Sequence, residues 1–314
     1  REALSDYYRQ RFGVAVDPRR ILLTPGASGA LQMVLALLVD PGSRVLMADP
    51  GYPCNRNYVH LLDGEPAAVP VGPDTGYQLN AGLAAAHWDE RTCALLAATP
   101  SNPTGTLLGR RELAELAALA RERGGHLIVD EIYQGLTYGD EALSALEVAD
   151  DLFVINSFSK YFGMTGWRLG WVVAPPAYVE ALERLAQNLF LAAPTLSQYA
   201  ALAALRPETL ALLDVRRDEF RARRDYLLPA LRKLGFDIPV EPQGAFYLYA
   251  DCSRFTDDSF RFSQDLLEQA GVAVTPGLDF GSHRAREHLR FAYTTSLEQL
   301  REGVERIGGF VGGG

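Results

Sequence analysis

A lysine set between two apolar runs constrains this chain most. Residues 152–155 and 169–174 each read as a buried strand. Between them lies Ser157-Phe158-Ser159-Lys160-Tyr161-Phe162-Gly163-Met164-Thr165-Gly166-Trp167-Arg168. So short a connection between buried strands is a poor place for a solvated charge. Buried lysines shift their pKa readily and serve as amine nucleophiles toward carbonyls. Arg168, eight positions after Lys160, carries a planar fork suited to phosphate. A loop lysine and a strand-edge arginine are the plain alternative, because a short motif is only a hypothesis.

The rest of the chain repeats one arrangement, an apolar run closed by turn residues. Residues 21–24 run into Pro25-Gly26-Ala27-Ser28-Gly29-Ala30 and then an apolar helix over 31–39. A strand, a small-residue turn and a helix start aim backbone N–H groups at an anion. A tight turn with Ser28 as helix cap is the alternative. The strand at 44–48 ends in Asp49-Pro50-Gly51-Tyr52-Pro53, which puts a stiff aromatic, Tyr52, where it can stack on a planar ligand or simply pack. After a short strand at 65–71 comes a polar connection marked by Gly and Pro. The strand at 93–98 ends in Thr99-Pro100-Ser101-Asn102-Pro103-Thr104-Gly105, a loop stiffened by two prolines that presents the Asn102 amide.

An amphipathic helix over 109–123 leads to the strand His126-Leu127-Ile128-Val129-Asp130. An acid at the C-terminal end of an apolar strand occupies the usual ligand edge of an open α/β sheet. Asp130 is suited to a protonated ring nitrogen, or to a helix cap or salt bridge. Tyr133 is placed to donate to a ring oxygen. Helices over 176–189 and 194–205 precede a long polar helix over 208–234. Its Arg216, Arg217, Arg221, Arg223 and Arg224 alternate with acids and read as a solvated face. The tail reads as strand 246–250, helix 258–270, strand 272–275, strand 288–293 and helix 297–307. Arg290, between Leu289 and Phe291, is costly to bury without an anionic partner. That partner is either a substrate carboxylate or an internal acid.

The 314 residues are enough for two domains. We expect an α/β domain over 1–207 with a mostly parallel, seven-stranded type of sheet flanked by helices, and a small C-terminal α+β domain over 208–314. A net charge of −9 argues against a nucleic-acid partner. No apolar run has the length of a membrane span. Cys54, Cys93 and Cys252 form neither a metal-ligand nor a disulfide pattern, which fits a cytoplasmic location. The five histidines show no metal-ligand spacing, and no metal site is expected. The opening Arg1-Glu2-Ala3-Leu4-Ser5-Asp6-Tyr7-Tyr8 is helical in character with no start signal, so an upstream segment is expected to be missing.

Taken in order, Ser101-Asn102-Pro103-Thr104-Gly105, Asp130-Glu131-Ile132-Tyr133 and Ser157-Phe158-Ser159-Lys160 with Arg168 resemble the fold-type I, pyridoxal-phosphate-dependent aminotransferases of class I and II, over essentially the whole chain. The resemblance implies a homodimer that exchanges an amino group between an α-amino acid and a 2-oxo acid by a ping-pong route. It implies that Lys160 forms the internal aldimine with pyridoxal 5'-phosphate and shuttles the α-proton. It assigns Asp130 to the pyridine nitrogen, Asn102 and Tyr133 to the phenolic oxygen, and Tyr52 to stacking on the ring. Ala27, Ser28, Ser157 and Arg168 would cradle the phosphate, and Arg290, with Asn102, would bind the substrate carboxylate. The family's N-terminal arm, its upstream glycine-containing segment and the tyrosine that reaches the neighbouring subunit are absent here. One aspartate-specific subgroup has lysine where this chain has Ser28, so a neutral or aromatic donor is expected.

Three other functions compete. A β-lyase or decarboxylase would use the same cofactor to break a different α-carbon bond. An aminotransferase-like sensor domain of a transcription regulator would need a basic DNA-binding unit upstream. Acyl transfer would use Ser157-Phe158-Ser159-Lys160 as Ser-x-x-Lys, but its companion Ser-Asp-Asn and Lys-Thr-Gly motifs are absent.

Overall fold

The computed structural model describes residues 1–139 and 143–312. Seven strands form the main sheet: β1 (Ile21–Thr24), β2 (Arg44–Asp49), β3 (Glu65–Pro70), β4 (Thr92–Ala98), β5 (His126–Asp130), β6 (Phe153–Ser157) and β7 (Gly170–Val173), in the order β1-β7-β6-β5-β4-β2-β3. Pairing is parallel from β3 through β6, and β7 is antiparallel to both neighbours. The central strands are buried on both faces, so they read as continuous apolar runs rather than alternating ones. Helices α1 (Glu2–Phe12), α2 (Gly26–Leu38), α3 (Pro53–Leu61), α4 (Ala81–His87), α5 (Arg110–Glu122), α6 (Val179–Leu189) and α7 (Thr195–Ala204) accompany this sheet. Val34, Leu35, Met47, Leu96, Ile128 and Ile155 pack one of its faces, and Leu95, Leu113, Leu116, Leu127, Val129 and Val154 the other.

A long helix, α8 (Pro207–Leu234), precedes an antiparallel sheet of β8 (Tyr247–Asp251), β9 (Thr275–Pro276) and β10 (His288–Ala292) in the order β8-β10-β9. Helices α9 (Ser259–Ala270) and α10 (Leu297–Gly312) complete it around Leu231, Leu248, Phe262, Leu289 and Phe291. Among the described residues no helix is long and apolar enough to cross a membrane.

Several expectations need correction. The connection after β3 contains α4, whose first turn is capped by Asn80 Oδ1 accepting from Leu83 N at 2.9 Å. Tyr52 introduces a helix, with Pro53 at its first position. Ser28 is not a cap: α2 starts at Gly26, so Ser28 lies in its first turn. The expected strand over 272–275 is reduced to Thr275–Pro276. The arginines of α8 are not a uniformly solvated face. Arg224 is buried and donates to Pro242 O at 2.8 Å, and Arg216 donates to Tyr161 O at 2.5 Å and Lys160 O at 3.2 Å. A polar helix with alternating charges looks solvated until distant carbonyls are known to face it.

Glu131, next to Asp130, is fully buried and accepts from Ser144 Oγ at 3.1 Å and from Ala145 N at 2.6 Å. Burial pushes its carboxyl up to about 8, against the pull of those two donors. A folded-state value raised above the unfolded one favours folding at low pH, and this contribution is lost as pH rises toward 8. Glu131→Gln should remove that dependence. In thermal melts the wild-type-minus-variant stability should fall steadily from mildly acidic to mildly alkaline pH. A difference that is flat or rises with pH would contradict the assignment.

Candidate active site

Three parallel strands end side by side. Register aligns Ala98 of β4 with Asp130 of β5, and Asp130 with Ile155 of β6. Thr99 N donates to Asp130 O at 3.0 Å and Glu131 N to Ile155 O at 2.8 Å, so the three chains leave the sheet together. Asp130 at the end of β5, with Asn102 and Lys160 on the loops after β4 and β6, reaches one cavity of about 220 Å³. Ala27, Ser28, Tyr52, Tyr133, Arg168 and Arg290 also line it. Nine of the ten residues singled out from sequence thus meet in one place. Ser157 does not line the cavity: its Oγ accepts from Ser159 N at 3.0 Å, and Ser159 forms the wall.

One end of the cavity is an anion cradle. Gly26, Ala27 and Ser28 form the first turn of α2, where backbone N–H groups lack helical partners. Gly26 has φ +74°, and a Cβ there would collide with the Arg168 guanidinium. Gly170 lets β7 approach the helix start, since a Cβ would lie 2.5 Å from Gly26 C and 2.6 Å from Ala27 N. Arg168 is held over the turn by donating from Nη1 to Thr165 O at 2.9 Å.

The middle carries two groups of opposite charge. Asp130 is buried, accepts from Ile132 N at 3.0 Å and has no ion-pair partner among the described residues. Burial pushes its carboxyl up to about 6, opposed by that N–H and by the charge of Lys160. Lys160 is half-buried, with Nζ 5.7 Å from the centre of the Tyr133 ring and 5.8 Å from that of Phe246. Burial lowers its pKa, the charges of Arg290 and Arg168 lower it further, and Asp130 opposes them. The loop is clamped from α8 by Arg216, and Tyr161 Oη donates to Asp214 Oδ1 at 2.8 Å.

At the other end Tyr133 and Tyr247 share a hydrogen bond of 2.9 Å between their hydroxyls. Burial and the Tyr247 hydroxyl push the Tyr133 phenol well above its ordinary value. The Arg290 guanidinium lies 4.2 Å from the Tyr247 ring centre and 4.7 Å from that of Phe280. It donates to Asn102 Oδ1 at 2.9 Å and to Thr275 Oγ1 at 3.2 Å, while its buried Nε has no partner. The internal acid that could have explained this arginine is missing among the described residues. A neighbouring cavity of about 320 Å³ shares Tyr52, Ala98 and Asn102. It is the larger, but it holds no amine, and its acid, Asp49, is saturated by hydrogen bonds. The amine and the carboxyl without an ion-pair partner both line the smaller cavity.

Residues 1–307 match the family model of the class I and II aminotransferases. The chain belongs to that family. This aminotransferase is 38% identical over 313 residues to the valine–pyruvate aminotransferase of Mycobacterium tuberculosis, a match spanning 99% of this chain and 80% of that protein. It is 35% identical over 315 residues to the aspartate/prephenate aminotransferase of Thermus thermophilus, spanning 99% of this chain and 80% of that protein. A crystal structure of an aminotransferase from Mycobacterium tuberculosis superposes with a TM-score of 0.96 at 37% identity, over 100% of this chain and 81% of that one. The expected α/β architecture and transaminase class both hold. Ser159, Tyr247 and Phe280 are the site residues that sequence reasoning missed. Ser159 had a signal in the second serine before Lys160, whereas Tyr247 and Phe280 come from segments brought in by the tertiary fold.

The aminotransferase has two lysines, Lys160 and the exposed Lys233, so their resonances can be assigned by substitution. After reductive ¹³C-dimethylation, the Lys160 resonance should titrate below the ordinary range of a lysine. Asp130→Asn should lower it further by removing the one neighbouring charge that favours the ammonium. A Lys160 value at or above the ordinary lysine range, or one raised by the substitution, would contradict this electrostatic account.

Proposed function

We propose that this aminotransferase binds pyridoxal 5'-phosphate in the smaller cavity and transfers an amino group from a neutral or aromatic α-amino acid to a 2-oxo acid by a ping-pong route. The observation that carries the reading is a low-pKa amine and an unpaired buried carboxyl in one cavity that ends in an anion cradle. The donor set fits the cofactor group by group. The α2 N–H groups at Ala27 and Ser28, the Ser157–Ser159 turn and Arg168 suit its phosphate. Asp130 suits its ring nitrogen, Asn102 and Tyr133 its ring oxygen, and Tyr52 its flat face. When bound, the cofactor supplies an electron sink for the substrate α-carbon.

The chain's own groups do the remaining work. Asp130 would keep a proton on the ring nitrogen. Lys160 Nζ, whose pKa burial lowers, would hold the cofactor at its carbonyl carbon and, once freed by the substrate amine, would take the α-proton and return it as general base and acid. Arg290 binds the substrate α-carboxylate through its planar fork, next to the Asn102 amide. Ser28 brings no cation of its own for a second substrate carboxylate, beyond the Arg168 assigned to the phosphate, which supports a neutral donor. The valine–pyruvate name of the first relative agrees with this, although the aspartate/prephenate name of the second differs.

We also propose a homodimer in the cytoplasm, with the chain dividing near residue 207 into a cofactor domain and a small C-terminal domain. Trp167, Leu191, Leu196, Tyr199 and Leu202, each between 48% and 84% exposed, support a partner surface beside the site. Three unpaired cysteines suit a reducing compartment.

Borohydride reduction with the cofactor present, followed by peptide mapping, should label Lys160 and spare Lys233. Lys160→Ala should lower turnover by at least about 10²–10⁴-fold. Label confined to Lys233, or wild-type turnover in the variant, would defeat the proposal.

A further inference from the structure

Asp49 ends β2 and is buried, yet it has no cation partner among the described residues. Its carboxylate is satisfied from one distant segment. Ser282 N donates to Oδ1 at 3.1 Å and to Oδ2 at 3.0 Å, Ser282 Oγ to Oδ2 at 2.9 Å, and His283 N to Oδ2 at 3.2 Å. Two more bonds fasten the same segment from the same side: Gly51 N donates to Phe280 O at 2.9 Å, and Arg56 Nη2 to Asp279 O at 2.9 Å. Gly281 lies so close that a Cβ would collide with the Asp49 carboxylate. The main sheet thus grips residues 279–283 at the strand end next to the cavity.

This grip fixes Phe280. Phe280 is 2% exposed and forms one wall against the Arg290 guanidinium, with Tyr247 as the other. Among the described residues Arg290 is fixed laterally by two hydrogen bonds, to Asn102 and Thr275. The aromatic walls therefore set the tilt of its fork. A bidentate carboxylate contact depends on that tilt, and a misplacement of about 1 Å can cost on the order of 10²-fold.

We infer that Asp49 is a positioning residue: by clasping Ser282 and His283 it holds Phe280 against Arg290 and so sets the affinity for substrate carboxylates. The inference rests on the proposal that Arg290 binds the α-carboxylate. Asp49 touches neither the amine nor the reacting carbon, so its loss should act on binding and not on proton transfer. An amide at this position would set its NH₂ against the N–H donors of Ser282 and His283, loosening the clasp while keeping its size.

The test compares steady-state constants of the cofactor-loaded enzyme for Asp49→Asn, Ser282→Ala, Arg290→Gln and wild type. Asp49→Asn should raise KM for both the amino acid and the 2-oxo acid by about 10- to 100-fold, with kcat within about threefold. Ser282→Ala, which removes one of the four bonds, should raise both KM values by a smaller factor. Slow reaction with a primary amine that lacks a carboxylate should be unaffected by Asp49→Asn. If Arg290→Gln raises KM and Asp49→Asn does not, the role of Asp49 is wrong while that of Arg290 stands. If Arg290→Gln leaves KM unchanged, the carboxylate reading itself fails. Equal losses of kcat for the amino acid and the carboxylate-free amine in both Asp49→Asn and Ser282→Ala would mark Asp49 as a general support of the fold and overturn the inference.

Discussion

The parallel pairing of β4, β5 and β6 is the constraint on which the site depends. Because these strands run in one direction with aligned ends, residues far apart in sequence leave the sheet at one edge. Asn102, Asp130 and Lys160 need no further coincidence to share a cavity. The same geometry buries Asp130 without a cation and leaves Lys160 partly desolvated between two arginines. Each group is held away from its ordinary protonation balance by burial.

Around that edge the fold supplies stiffness at a distance. Arg216 of α8 grips the carbonyls of Lys160 and Tyr161, and Tyr161 reaches Asp214, which also pairs with Arg11 of α1. The Lys160 loop is thereby tied to α1 and α8. Gly170 permits the close approach of β7 to the start of α2, so the anion cradle and the amine lie in one cavity. On the opposite side the Asp49 clasp and the Asn102–Arg290 bond join the antiparallel sheet to the main one. Asn102 thus links the two sheets at the cavity itself.

Much of this was legible locally. Asp130, Asn102 and Lys160 stand where an apolar run stops at a turn, and strand ends are marked by short-range chemistry. What was not legible depends on distant partners. Arg216 and Arg224 alternate with acids exactly as surface residues do, and only the tertiary fold turns them toward buried carbonyls. Tyr247 and Phe280 look like ordinary core aromatics until Arg290 is seen between them. Helices α3 and α4 were missed because nine and seven residues are too few to establish a period against flanking Gly and Pro. Ser157 was singled out by its place in the motif, but the side chain that lines the cavity is two residues on.

The most direct test of the central claim is a visible absorption titration of the protein with pyridoxal 5'-phosphate, followed by a panel of amino acids. The account predicts an absorption band that depends on Lys160. Neutral or aromatic amino acids should bleach it, and a 2-oxo acid should restore it. A protein that forms no such band, or forms it equally well without Lys160, would contradict the account.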